Sequence, residues 1–457
     1  MPESATLSPD NLHAIFKAYD VRGTVGDQLD EALAERIGGA FVAITGAPTV
    51  VVGYDMRPSS PGLAGAFAQG AAAAGADVVI IGLASTDQLY YASGALGHAG
   101  AMFTASHNPA AYNGIKMCRA GAAPIGMETG LAEIRDAVAT VHRASRVGTI
   151  TETDVLAGYV QHLHGLVGWG PRQLKVVIDA GNGMAGLTAP AVFAEMGAVE
   201  MVPMYFELDG TFPNHEANPI EPANLVDLQK RVLAEGADIG LAFDGDADRC
   251  FLVDERGELV TPSTLTGLIA ARELAREPGA TIIHNLITSR AVPQIVTELG
   301  GTPVRTRVGH SYIKATMAET GAIFGGEHSG HFYFRDFWKA DSGMLAALHA
   351  LAALSETDGT LSELLADYDR FASSGEINST VADQSGVVEA LVEAWSSRDG
   401  VQVDRLDGLT VAHEDWWFNV RASNTEPLLR LNVEGRDDQT MAGIRDEVLA
   451  EIRRDAK

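Results

Sequence analysis

Three stretches of the chain share one alternation of apolar and polar positions. Each opens on a short apolar run that breaks into a turn and then a helical pattern: VVVGYDMRP (50–58), KVVIDAGNGMAG (175–186) and TIIHNLITSRAV (281–292). Glycine ends each helical pattern, and a second apolar run follows in GADVVIIG (75–82), GAVEMVPM (197–204) and GGTPVRTRVGH (300–310). A third run stops at a polar loop in AGAMFTASHNP, GADIGLAFDGDADR and TGAIFGGEHSGH, and each loop returns into another strand. Recurrence at domain-sized spacing predicts three topologically related, mixed α/β domains, with polar groups collected at the carboxyl ends of largely parallel strands. From about residue 371 the repeat is lost, and RASNTEPLLRLNVEGR (421–436) reads as a loop between two strands. The expected domains are 1–152, 153–256 and 257–370, followed by a fourth, smaller α+β domain at 371–457.

Composition narrows the classes of function. A chain of 457 residues is too long for one hydrophobic core. With 46% hydrophobic and 20% charged residues it reads as a soluble globular protein. Its net charge of −27 repels nucleic acid and anionic membranes, so neither is an expected partner. Any phosphate handled here must be captured by a few placed cations. The two cysteines, Cys118 and Cys250, fit a reducing cytoplasm and no disulfide framework. The start, MPESATLSPD, has neither a basic nor an apolar leader segment. The most apolar tract, at 64–85, is Gly-rich and broken by Gln69 and Asp77, which argues against a membrane span.

The loops carry the chemistry. DGDADR (244–249) places Asp244, Asp246 and Asp248 at every second position, and carboxylates this close call for a hard divalent cation. With Glu255 they match positions 1, 3, 5 and 12 of a calcium-binding EF-hand loop, but Arg249 replaces its glycine and the flanks look like strands. TASHNP offers Ser106, which has no G-x-S-x-G elbow around it but makes sense beside a metal loop as a phosphoryl carrier. A phosphoserine, three aspartates and one Mg²⁺ leave the site at roughly −3, so Arg249 is electrostatically useful. His107 and Lys116, on the same hairpin, can orient phosphate or move a proton. In GEHSGH (326–331), Glu327 and Ser329 suit sugar hydroxyls, whereas a zinc site built on His328 and His331 lacks a thiol or a third histidine. Arg421, Ser423, Asn424 and Thr425 form a run of donors suited to a phosphate that does not react. DAGNGMAG also holds a literal G-x-G-x-x-G at Gly181, Gly183 and Gly186, with Glu207 beyond it, in the context of a dinucleotide site. The equivalent turns of the other two repeats lack it.

KAYDVRG (17–23), TASHNP, LDGTFPNHEANPIEPANL (208–225), DGDADR, GEHSGH and RASNTEP occur in that order. On these six motifs the chain resembles the phosphohexomutase family, and within it the bacterial phosphomannomutase/phosphoglucomutase branch. The resemblance implies a four-domain intramolecular phosphotransferase built around a central active-site cleft, to which each domain gives one loop. Ser106 would be phosphorylated, and Asp244, Asp246 and Asp248 would hold Mg²⁺ with the serine phosphate. Glu327 and Ser329 would read the sugar, and Arg421, Ser423, Asn424 and Thr425 would hold its distal phosphate. Tyr19, Arg22, Lys116, Arg249, His310 and His331 would contact substrate or assist proton transfer. The expected substrate is a hexose phosphate, with a hexose 1,6-bisphosphate as activator and a monomer or homodimer as the working form. Some members carry a lysine where this chain has Leu286, with Arg290 as the candidate stand-in. Mannose phosphates lead this reading. Glucose or glucosamine phosphates are the alternative, and a nicotinamide-dependent dehydrogenase or a non-catalytic sugar-phosphate binder the remote ones.

Overall fold

Val50, Val51 and Val52 are all fully buried, which three successive strand residues achieve only when both faces of the sheet are covered. Their strand, Thr49–Tyr54, lies between Asp77–Leu83 and Ala99–Phe103, both parallel to it, and Tyr112–Arg119 then returns antiparallel beside the latter. The computed structural model describes residues 5–194, 196–422 and 428–454, and within them this arrangement occurs three times. The second copy runs Val199–Met204, Leu174–Asp179, Ile239–Phe243, Cys250–Asp254 across its sheet. The third runs Thr302–Thr306, Thr281–Asn285, Phe324–Gly326, Phe332–Phe334. In each copy the middle parallel strand is the first in sequence, and the third ends where a polar loop begins. The repeat in the hydrophobic pattern is therefore a repeat of topology.

The fourth unit is different. Ala372–Thr380, Leu428–Gly435, Trp416–Ala422, Leu409–Ala412 and Gln402–Asp404 pair antiparallel throughout, and Gln384–Trp395 and Asp438–Ile452 are its long helices. Trp395, Phe418, Leu431 and Val448 belong to a core of its own, as the predicted α+β class requires.

The first three units are joined through their interiors. Helix Gly343–Ser355 is buried on every side, as a helix apolar all round must be, and it shares a core with Tyr159 and Leu163 of the second unit and Tyr90 of the first. Asp87 sits at this junction, fully buried. It accepts hydrogen bonds from Ser85 Oγ at 2.5 Å, Ser342 Oγ at 2.6 Å and Tyr159 Oη at 2.7 Å, one donor from each unit. Ser85 and Ser342 are helix N-caps, so each hydroxyl oxygen accepts a backbone N–H while its proton goes to Asp87.

The fourth unit docks on the loop that carries Leu286. Leu286 and Ile287 pack on Trp417, whose Nε1 donates to Glu434 at 2.7 Å. Arg290 lies 3.4 Å from Glu434 and donates to the carbonyls of His413 and Glu414 at 3.2 and 2.6 Å. Arg290 thus fastens the third unit to the fourth and is not a stand-in for a substrate-binding lysine. No helix among the described residues is long and apolar enough to cross a membrane.

Burial pushes the Asp87 carboxyl up from 3.8 to about 6, against the pull of its three hydroxyl donors. The folded state therefore holds a proton that the unfolded chain has lost, and the stability this confers is present below about pH 4 and gone above about pH 6. Asp87→Asn should gain on the wild type by about 3 kcal/mol between pH 4 and pH 7 in urea denaturation. A difference independent of pH would contradict this.

Candidate active site

Ser106 stands at the carboxyl end of Ala99–Phe103 in a left-handed conformation, φ 51°, unfavourable for a residue with a Cβ. Its amide donates to Thr104 Oγ1 at 2.9 Å. Arg22 donates to the Ala105 carbonyl at 3.0 Å and to the Asn108 side chain, while pairing with Asp20 at 2.7 Å. Only 3% of Ser106 is exposed. Its hydroxyl donates to Asp244 Oδ2 at 2.7 Å and lies 3.2 Å from His107 Nδ1. Burial, with Arg249 and Arg22 nearby, pushes His107 well below the ordinary histidine value, so its imidazole is neutral at neutral pH.

Asp244 follows strand Ile239–Phe243, and Cys250–Asp254 completes the hairpin, so strands flank the acidic loop as its rejection as an EF-hand requires. Ligand oxygens of Asp244, Asp246 and Asp248 lie within 4.8 Å of one another, all buried. Arg249 Nε donates to Asp244 Oδ2 at 2.9 Å. Lys116 Nζ reaches Asp246 Oδ2 at 2.7 Å and Asp248 Oδ2 at 2.5 Å, and Thr86 Oγ1 donates to Asp246 Oδ2 at 2.6 Å. Burial and the two neighbouring carboxylates outweigh Arg249 and raise Asp244. Burial opposes ionisation of Asp246 as well, but Lys116 and Thr86 prevail and lower it. The donor set fits a hard divalent cation. Every ligand is a carboxylate, and Asp246 Oδ1 and Asp248 Oδ1 are buried with no hydrogen-bond partner among the described residues.

Two glycines of DAGNGMAG meet neighbouring backbone, one of them in this loop. A Cβ on Gly183 would stand 2.6 Å from the Gly245 carbonyl, and one on Gly186 would stand 2.3 Å from that of Phe206. The turn approaches protein backbone where a dinucleotide site would approach pyrophosphate, which removes the support for a nicotinamide cofactor.

A cavity of 670 Å³ opens on the serine and is lined by Tyr19, Arg22, Ser106, Lys116, Asp248 and His331 among others, with Arg430 from the fourth unit. His331 Nε2 is 3.6 Å from Asp248, and its Nδ1 is 2.9 Å from Ser329 Oγ. Glu327 accepts from Tyr333 Oη at 2.7 Å, Gly309 N at 3.1 Å and Asn285 Nδ2 at 3.2 Å, which leaves acceptor capacity on Oε2. Tyr19 lies against this region, with Tyr312 edge-on at 6.3 Å. His328 is apart from His331, 3.4 Å from Ser263 Oγ, and belongs to neither cluster of metal-ligating atoms found among the described residues. Arg421 donates to Glu376 at 3.3 Å. Ser423, Asn424, Thr425 and the side chain of His310 lie outside the described residues.

Sequence reasoning missed several residues here. Thr86 braces Asp246, Glu376 holds both Arg421 and Arg430, Asp341 lines the cavity beside His331, and Arg57 lies beneath the serine loop. The one available signal was YDMRP, a charged pair at the end of a strand where the repeat places functional groups.

An architecture in which three copies of one α/β unit and a dissimilar fourth share a single cleft is that of the phosphohexomutases, isomerases that move phosphoryl groups. Family models for phosphoglucomutase/phosphomannomutase match at residues 13–144, 157–257 and 262–371 for alpha/beta/alpha domains I, II and III, and at 376–451 for the C-terminal domain. The chain belongs to the phosphoglucomutase/phosphomannomutase family. It is 42% identical to a phosphomannomutase of Escherichia coli strain K12 over 95% of this chain and 97% of the relative. It is 37% identical to a phosphomannomutase/phosphoglucomutase of Pseudomonas aeruginosa over 97% and 96%. Among solved structures, a phosphoglucomutase/phosphomannomutase family protein of Burkholderia thailandensis superposes with a TM-score of 0.87 at 36% identity, covering 96% of this chain and 97% of that one.

Lys116 Nζ bridges the Oδ2 atoms of Asp246 and Asp248, so it would compete with a metal ion for the charge of these carboxylates. Lys116→Met should tighten Mn²⁺ binding in calorimetry by about tenfold, or about 1.4 kcal/mol. Asp246→Asn should weaken it. Weaker binding in Lys116→Met would show that the ammonium does not compete.

Proposed function

We propose that this protein interconverts mannose 1-phosphate and mannose 6-phosphate through a phosphorylated Ser106 and a hexose 1,6-bisphosphate, with Mg²⁺ as the metal. The observation that carries the reading is the 2.7 Å contact between the Ser106 hydroxyl and Asp244, two residues 138 positions apart in sequence. A serine buried against an acidic triad is placed to carry phosphorus, and relatives covering nearly the whole chain are named phosphomannomutase. The Pseudomonas aeruginosa relative, named for both activities, supports some turnover of glucose phosphates.

In the first half-reaction the bond between phosphorus and Ser106 Oγ breaks as one forms to the free hydroxyl oxygen of the sugar phosphate. The hydroxyl proton passes to a base. His331 takes that role, since Ser329 steadies its Nδ1 and its Nε2 lies 3.6 Å from Asp248 of the acidic triad. Burial works against the Lys116 ammonium, but Asp246 and Asp248 hold its pKa above the ordinary lysine value. Lys116 is thus a donor to the departing serine oxygen, and Arg249 a second positive group beside it. Mg²⁺ held by Asp244, Asp246 and Asp248 with the serine phosphate would neutralise charge on the transferring group. The bisphosphate then turns end for end, and the other phosphoryl group returns to Ser106. Arg421, Ser423, Asn424 and Thr425 grip whichever phosphate is distal, and Glu327 and Ser329 meet sugar hydroxyls. A trace of hexose 1,6-bisphosphate is the activator because it can phosphorylate an empty serine.

With Mg²⁺ and that activator, a coupled assay should show mannose 1-phosphate turning over faster than glucosamine 1-phosphate. Ser106→Ala should lose at least ~10³-fold in turnover. An undiminished rate in the variant would remove the serine from the mechanism, and an equal or faster glucosamine rate would overturn the preference.

A further inference from the structure

The motif LDGTFPNHEANP has no part in the chemistry above, and neither does Arg57, although only 1% of that arginine is exposed and it touches the catalytic loop. Arg57 follows the central strand of the first sheet by three residues. Its guanidinium spends all five of its N–H donors within the protein. Nη2 donates to the carbonyls of Ser106 at 3.0 Å and Asn108 at 2.7 Å, and Nη1 to those of Pro109 at 2.9 Å and Tyr112 at 3.0 Å. Nε donates to Asp55 Oδ2 at 3.2 Å, while the other oxygen of Asp55 is held by Ser60 Oγ at 2.6 Å. One planar group therefore gathers four carbonyls of the segment 106–112 and anchors them to the end of a rigid strand.

The other face of this group is closed by the second unit. The Phe212 ring centre lies 5.1 Å from the Arg57 guanidinium carbon. A Cβ on Gly210 would stand 2.5 Å from Arg57 Cα, so the chain can pass there only as glycine. Further along the same motif, Ala217 packs against both Gly181 and Gly245, the latter inside the acidic loop. One segment of the second unit thus touches the arginine under the serine loop and the loop that bears the aspartates.

We propose that Arg57, capped by Phe212, is a positioning residue for phosphoryl transfer: it holds Ser106 in its left-handed conformation and so keeps the hydroxyl aimed at the aspartate triad. The role rests on the phosphoserine reading. Lysine keeps the charge at this position but has one donor atom where arginine has three, so it cannot span four carbonyls and Asp55. The effect is expected on the transfer step more than on sugar binding, because Arg57 does not line the cavity and holds its lining residues only through their backbone carbonyls.

The test follows single-turnover transfer of label from ³²P-glucose 1,6-bisphosphate to full-length protein with Mg²⁺, alongside steady-state kcat and KM for mannose 1-phosphate. Arg57→Lys should slow the transfer and kcat by about 10²-fold, the scale expected of a misplaced reacting group, with KM within about threefold of wild type. Arg57→Ala should behave alike and regain at least about tenfold in added guanidinium. Phe212→Leu, which leaves every hydrogen bond of Arg57 in place, should slow transfer by roughly three- to tenfold. If Arg57→Ala cannot be purified, Arg57→Lys carries the test. Transfer at the wild-type rate in Arg57→Lys overturns the proposal, as does a loss confined to thermal stability or to KM. An unchanged Phe212→Leu removes the cap. Wild-type protein that takes up no label overturns the phosphoserine reading itself, which separates the two failures.

Discussion

Three carboxylates crowded within 4.8 Å of one another and shut away from water cannot all stay ionised unless positive charge is brought to them. Much of the cleft answers that constraint. Arg249 comes from the same loop, Lys116 from the hairpin of the first unit, and the serine donates its proton to the aspartate that is hardest to ionise. The two halves of the centre come from different units, so the precision of the site depends on how firmly those units are joined. The buried helix Gly343–Ser355 and the junction at Asp87 supply that rigidity through the interior. Thr86, next to Asp87, passes it to Asp246 through both its hydroxyl and its amide.

The fourth unit has another kind of attachment. It has a core of its own, and it meets the third through a small apolar contact at Leu286, Ile287 and Trp417, fastened by Arg290 and Glu434. Glu376, on its first strand, holds together Arg421 and Arg430, two cations that would otherwise repel, and Arg430 lines the cavity that opens on the serine. Under the proposed function, a phosphate arriving there would meet guanidinium groups already paired with a carboxylate, and binding it would exchange one anion for another.

The fold was legible because buried strands with helices on both faces leave long apolar runs, and because three copies of the pattern reinforce one another. The loops at the strand ends were legible for a related reason: Asp244, Asp246, Asp248 and Ser106 interrupt those runs with polar groups that a core would not tolerate. What escaped was the support beneath them. Arg57 acts on backbone carbonyls, which leave no trace in side-chain patterns, and Thr86 and Glu376 find partners far away in sequence. Gly183 and Gly186 were ambiguous by nature, since absence of a Cβ serves equally for approach to a phosphate or to a neighbouring loop. Arg290 looked like a substrate contact only because its true partners lie in a unit with no sequence repeat to align it.

Everything in the mechanism turns on phosphorus passing through the oxygen of Ser106. The direct measurement is a pulse and chase. Protein charged with labelled hexose 1,6-bisphosphate is digested and mapped by tandem mass spectrometry, before and after addition of unlabelled mannose 1-phosphate. The account predicts one phosphoryl group, on Ser106 alone, that leaves into the sugar bisphosphate within a turnover. A label on another residue, or one on Ser106 that stays while product forms, would contradict it.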